Sequence, residues 1–381
     1  MINSLSSSYL WHGTLDTPYG AKVSWDALSY PKKEGGVGLR SFGSWNKTCG
    51  LKLIWMLFFR AGSIWVAWVR KKYLSRYCFW ALNQDSASVS WSMRCLLKLR
   101  PKALPFLRIS IGNGDETYFW WDPWTPFGSL IHYLGPEGPS SLGIPLFSLV
   151  KDSLSTAGWR LPPARSDLQL HLYSFISTIQ YSPTNDKPSW VIQGKTCNFF
   201  SSNAVWKAIR PFSPQVSWDP IVWHKVTIPK HAITTWLFVL NRNPTLDRLL
   251  AWGLDVEPLC LLCGSCPESR NHLFFECPYS TALWKEITLK LGFQDPPYSW
   301  ECIIQWLPLA FPTKDQSLAL LLGWQASLYE IWSERNRRFH NGTSLTHNSV
   351  LRIIKVNIKN KCIALKNQKT KHGEALFLIW S

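Results

Sequence analysis

Acidic residues are scarce in this 381-residue chain: 24 Asp and Glu stand against 41 Lys and Arg, leaving a formal charge of +17. An acidic small molecule needs no such excess, whereas a polyanionic partner such as nucleic acid is favoured by it. A disulfide framework is missing too. Ten cysteines occur, but those outside residues 260–277 stand alone, as at Cys49, Cys78, Cys95 and Cys362. The N-terminus, Met-Ile-Asn-Ser-Leu-Ser-Ser-Ser, lacks the basic start and apolar core of a secretory signal, so a reducing nuclear or cytoplasmic setting is expected and secretion is not. Membrane-length apolar runs are also absent. Leu53 to Val69 carries Arg60 at its centre, at a cost of about 2.5–3.5 kcal/mol in a bilayer, and Leu318 to Trp332 carries Glu330. No internal repeat is found. The 46% apolar and 14% aromatic content is ample for folded cores.

The most informative stretch is Cys260-Leu-Leu-Cys263, followed by His272 and Cys277. Three thiolates and one imidazole at this spacing suit one closed, tetrahedral, structural zinc ion with no position left for water. Cys263-Gly-Ser-Cys266 has a redox-pair spacing, yet the buried strand such a pair requires does not precede it. Cys266 is an alternative ligand. Glu268, four residues before His272, is placed to hold the imidazole if both lie on a helix.

Along the chain, residues 1–135 hold eleven of the 24 tryptophans. Trp45, Leu51, Trp55, Phe58 and Phe59, then Ile64, Trp65 and Trp68, predict two apolar-faced helices broken near Gly62 and closed by Arg70, Lys71 and Lys72. Ile109 to Trp121, with Gly112-Asn-Gly114 inside it, reads as a hairpin; a phosphate-binding loop there lacks a third glycine and a following helix. Glu34-Gly35-Gly36 reads as a turn, since no Lys-Ser or Lys-Thr follows it. Residues 136–189 are rich in Pro, Ser and Gly and read as a linker with short ordered pieces. Pro229 opens a helix, Thr245 caps a short one stopped by Gly253, and Ser280 caps another ended by Gly292. A longer helix begins near Asp315 with Leu321, Trp324, Leu328 and Ile331 inward. From Arg335 to Gly373 there are ten Lys and Arg and no Asp or Glu.

The expected fold class is therefore mainly α with short β-hairpins, an irregular multi-part chain containing a small helical zinc-stabilised module. The expected organisation is a Trp-rich region over 1–135, the linker over 136–189, the zinc-binding region over 190–292 and a helical basic region over 293–381. Nucleic-acid contacts are expected at Lys230, Arg242, Arg248 and Arg270 near the metal, and at Arg335, Arg337 and Arg338 beyond it. Such contacts imply RNA or DNA binding with little sequence preference.

Trp223, Pro229-Lys230, Trp236, Asn241-Arg242, Pro244-Thr245, Asp247-Arg248-Leu249, the Cys260/Cys263 pair, Glu268-Ser269, His272-Leu-Phe-Phe275, Cys277 and Trp284 resemble the zinc-binding domain downstream of reverse transcriptase in plant non-LTR (LINE-type) retrotransposons. Leu10-Trp-His-Gly13, Trp25, Pro31-Lys32, Glu34 to Arg40, Trp45-Asn46, and Gly112-Asn-Gly114 with Phe119-Trp120 and Asp122 to Trp124 resemble the segment joining polymerase to that domain. Ile331-Trp-Ser-Glu334-Arg335-Asn336 resembles the helix that follows. The Tyr-x-Asp-Asp type motif of the family's polymerase has no counterpart, because the chain contains no Asp-Asp pair. The family's endonuclease and the ribonuclease H domain of some members have none either. The resemblance implies a non-catalytic, zinc-binding, nucleic-acid-binding fragment. The alternatives are a module that docks on a polymerase or other protein partner, and a retroelement relic without selected activity.

Overall fold

A computed structural model describes residues 2–14, 20–75, 77–155 and 158–381. The chain is mostly helical, with two small antiparallel sheets, and divides into two compact units. Named for their place in the sequence alone, the inner unit is residues 40–211 and the outer unit combines residues 1–39 with 212–381. No helix among the described residues is long and apolar enough to cross a membrane.

In the inner unit, α1 (Phe42–Phe58) and α2 (Ile64–Tyr73) fall where the apolar spacing places them. The buried face of α2 is not the expected one. Val66, Val69 and Tyr73 point inward, while Ile64 is 91% and Trp68 48% exposed. The helix α3 (Trp91–Leu97) is capped by Ser90, whose hydroxyl accepts from the Met93 N–H.

Strand β1 (Leu107–Ser110) pairs antiparallel with β2 (Lys187–Ile192), and β2 turns through Gln193-Gly194 into β3 (Lys195–Cys197). Both turn residues have positive φ, +50° and +77°, as a two-residue hairpin demands. The hairpin expected over 109–121 is thus not local, since the partner of β1 comes from far along the chain. The cause is Asp186, just before β2. Its carboxylate accepts from the backbone N–H of Gly112 (2.8 Å), Gly114 (2.9 Å) and Glu116 (3.2 Å) and from the Thr117 hydroxyl (2.7 Å). This winds the Gly112-Asn-Gly114 loop around one buried anion. A Cβ at Gly112 would meet the Thr184 carbonyl oxygen at 2.1 Å.

The composition of 136–189 is that of a linker, but this segment is folded. Leu142, Ile144, Val150, Leu172 and Ile176, the last two on α4 (Asp167–Ile176), are buried with Phe119, Trp120 and Trp124. Short turns separate these apolar residues, so no period survives for the sequence to display. Helix α5 (Ser202–Ile209) then packs on α1.

The outer unit is built on α6 (Pro229–Val239), α7 (Leu246–Ala251), α8 (Pro278–Lys290), α9 (Lys314–Asn341), α10 (His347–Asn367) and α11 (Gly373–Trp380). The 28-residue α9 is its axis and packs against α6, α8, α10 and α11. Leu321, Trp324, Leu328 and Ile331 are all buried. At Gly323 the neighbours come close, for a Cβ would lie 2.8 Å from Ile287 and 3.2 Å from Trp380. The N-terminal segment joins this unit where the Trp236 indole N–H donates to the Gly35 carbonyl at 2.9 Å.

Two caps differ from expectation. Helix α8 begins at Pro278 with Cys277 as its cap residue, and Ser280 instead donates its hydroxyl to the Leu273 carbonyl. Thr245 precedes α7 as expected, but its hydroxyl makes no cap hydrogen bond; the Leu246 N–H is taken by Glu268 at 2.9 Å.

Candidate metal centre

The four expected ligands converge. Cys260 and Cys263 sit on a tight knuckle closed by Gly264 N–H to Cys260 O (2.7 Å) and Cys260 N–H to Cys266 O (2.8 Å). Gly264 supplies the left-handed backbone, φ +67°, that reverses the chain. His272 opens a single π-helical turn, His272–Glu276, whose closing bond from Cys277 N–H to His272 O is 2.7 Å. That wide turn brings residues five apart to one side, and Cys277 ends it at the start of α8.

The ligand atoms of Cys260, Cys263, His272 and Cys277 all lie within 4.8 Å of one another. The Cys260 and Cys277 sulfurs are 4.0 Å apart, and Cys263 Sγ is 3.3 Å from His272 Nε2. Zinc–sulfur bonds of about 2.3 Å and zinc–nitrogen bonds of about 2.0 Å in a tetrahedron give ligand separations of roughly 3.5–3.8 Å. The donor set and its spacing therefore fit one zinc ion, held in a closed structural site. Cys266 is exposed and lies outside the group.

The two buried thiols of the group are electrostatically unequal. The Cys277 thiol is held below its ordinary pKa by the hydrogen bond from Cys260, helped by the N–H groups of Tyr279 and Ser280 in the first turn of α8. The Cys260 thiol is pushed up by that same bond and by burial.

Glu268 does not serve His272. It precedes the helical turn, and both of its oxygens accept from Arg335, at 2.9–3.2 Å, in a pair whose side chains are 0% and 2% exposed. Next to Arg335, buried Glu334 accepts from Arg337, from Arg338 Nε (2.8 Å) and from the Leu345 N–H (2.8 Å). Arg338 then donates to the carbonyls of Leu261 and Leu262, each at 3.0 Å, between the two knuckle cysteines. The end of α9 is thereby latched to the metal loop.

This places the cations expected at a nucleic-acid face. Arg335 is a correction, because its guanidinium is buried and committed to Glu268. Arg337 and Arg338 are mostly covered and compensate Glu334. Their charge is consumed because a buried carboxylate requires a partner. Arg270 is 17% exposed, stacks on Trp300 and donates to the Phe238 carbonyl and to Glu301. Arg248 is half-buried over Trp252, Lys230 is exposed over Tyr329, and Arg242 is exposed. Sequence reasoning did not single out the exposed or half-buried Arg352, Lys355 and Lys359 of α10. Their spacing of three and four residues was the available signal.

Residues 200–284 match the family described as zinc-binding in reverse transcriptase. A protein of Arabidopsis thaliana that carries the name ribonuclease H protein is 24% identical over 299 residues, which cover 75% of this chain and 47% of that protein. The chain thus spans about half the length of that curated relative. No solved structure matches. All four ligands fall inside the matched segment, so residues 200–284 with their Cys3His centre are similar to the zinc-binding domains of reverse transcriptases.

Proposed function

We propose that this chain is a non-catalytic nucleic-acid-binding fragment derived from a LINE-type retrotransposon reverse transcriptase, in which zinc orders a cationic helical module that holds RNA or DNA with little sequence preference. The carrying observation is the run from Arg335 to Gly373, ten cations without one acid. Its first three arginines are spent inside the fold, and Arg352, Lys355 and Lys359 follow on α10 with no acidic partner among the described residues. Lys230 and Arg242 add exposed charge on and just after α6.

The Arabidopsis relative's name raises hydrolysis as an activity for this chain. Nuclease chemistry of the two-metal kind needs clustered carboxylates. Among the described residues, the Cys3His group is the one set of three or more His, Cys, Asp or Glu side chains close enough to share a metal, and a nuclease assay on the purified chain tests the relative's activity directly. A second reading, docking on a polymerase or another protein, draws on Leu250, Trp252 and Leu254, which are 41%, 56% and 52% exposed beside α7.

The test is binding of labelled RNA and single-stranded DNA to the purified chain as salt is raised. Phosphate contacts predict a log–log slope near −0.7 per contact, so affinity falls steeply between about 50 and 200 mM salt. Metal analysis should return about one zinc per chain. No binding at low salt defeats the proposal, and a protein partner retained at high salt favours the second reading.

A further inference from the structure

We propose that the inner unit carries a separate, zinc-independent site that holds single-stranded nucleic acid by base stacking, in the groove between α1, α2 and α3. The groove has a volume of about 410 Å³ and is lined by Lys47, Leu53, Trp65, Trp68 and Trp91, among others. Trp68 is 48% and Trp91 78% exposed, while Trp190 of the same unit is fully buried. Helix α2 fills its buried face with Val66, Val69 and Tyr73 and turns Trp68 outward. Large exposed indoles facing one groove are unusual on a protein that has no partner for them.

The charge around the groove identifies the partner. From Arg40 to Gly114 the sequence has thirteen Lys and Arg and a single acid, Asp85. Among the described residues of that stretch, Arg60 has an acidic partner, Glu116. Lys47, Lys71 and Lys72 are exposed with no acidic partner among the described residues, and the Lys72 ammonium lies 4.9 Å from the centre of the Trp68 ring. Successive π-faces flanked by uncompensated cations match what a flexible polyanion with exposed bases offers. An acidic peptide would satisfy the lysines and leave the indoles without flat partners. A duplex keeps its base faces stacked internally, so the single-stranded form is selected.

This inference does not rest on the zinc module, and the experiment separates the two. A fluorescein-labelled 12-nucleotide oligo(U), with a blunt duplex as control, is titrated into the full chain before and after zinc removal. Stacking is worth about 1–3 kcal/mol per base, so Trp91→Ala and Trp68→Ala should each weaken oligo(U) binding by about tenfold, equally with and without zinc. Trp91→Phe and Trp68→Phe keep a ring and should lose less than about threefold. Melting curves of the Trp91→Ala protein check that this exposed position leaves the fold intact. Wild-type affinity in both alanine variants overturns the site, as does duplex binding as tight as oligo(U) binding. If Arg352, Lys355 and Lys359 can be neutralised without loss while the tryptophan effect persists, the groove stands and the α10 face falls; the reverse pattern removes the groove alone.

Discussion

Asp186 and Asp122 of the inner unit and Glu268 and Glu334 of the outer unit are buried carboxylates neutralised by different means, with Glu330 of the outer unit, held by the Asn357 amide, following the inner unit's pattern. In the inner unit Asp186 is met by three backbone N–H groups and a hydroxyl, and Asp122 by the Trp80 indole and the Tyr118 N–H, each at 2.8 Å. In the outer unit Glu268 and Glu334 are met by full positive charges on α9. Dipoles fix a loop and leave its acid sensitive to burial, so Asp122 is pushed up to about 7. Guanidinium groups meet their acids with full charge but require long-range assembly of α9 with the metal loop. The outer unit is consequently the more interdependent of the two.

Metal removal should separate the units most. A structural zinc contributes on the order of 10 kcal/mol to local folding. Chelation is expected to collapse near-ultraviolet signals from Trp284, Trp300 and Trp324 while the tryptophans of the inner unit keep theirs, assigned by single Trp→Phe variants. Equal loss in both units would erase the contrast. Next in size is Arg335→Met, which strands Glu268 and should cost about 3–5 kcal/mol in urea unfolding. The double variant with Glu268→Gln should recover part of this, and a cost below about 1 kcal/mol for the single change would refute the pair's role.

Proton linkage should move the units in opposite directions. Burial lowers His224 and His231 of the outer unit to about 4. Their folded pKa values lie below the ordinary 6.5, so their contribution is full above pH 6.5 and is lost as pH falls towards 4, by about 3 kcal/mol each. Asp122 is raised from 3.8 to about 7, so its contribution is full below pH 3.8 and is lost as pH rises through 7, by a comparable amount. Hydrogen exchange at pH 4.5 and 7.5 should show the outer unit loosening in acid and the inner unit tightening; parallel shifts would count against this.

Smaller effects probe packing and caps. Gly323→Ala forces Ile287 and Trp380 apart, and a net loss of about 1 kcal/mol is expected after the gain in helix propensity. Ser90→Ala should cost about 1 kcal/mol because that hydroxyl caps α3, whereas Thr245→Ala should lose only a few tenths from its cap position, where Glu268 does the capping. Thermal melting that ranks these two the other way would reverse the cap assignment.

The parts legible in the sequence were those closed over short distances. Cys260, Cys263, His272 and Cys277 lie within eighteen residues, and local turns bring them together. The helices at Phe42–Phe58, Pro229–Val239 and Lys314–Asn341 follow from period and punctuation. What stayed hidden was the identity of distant partners. Nothing local marks Asp186 as the anchor of Gly112, or Glu268 as the partner of Arg335, 67 positions away. The arginines of α9 consequently read as surface charge, and residues 136–189 as a connector.

The Gly112-Asn-Gly114 loop has the backbone donors of an anion receptor, and those donors are already saturated by a side chain from 72–74 positions further along. Free phosphate or nucleotide would have to evict a tethered carboxylate before touching a single amide. The glycines there act as a staple in the chain's own path: a break between Ser110 and Lys187 that let Asp186 drift would unzip β1 from β2 and at the same time create, for the first time, an empty cradle.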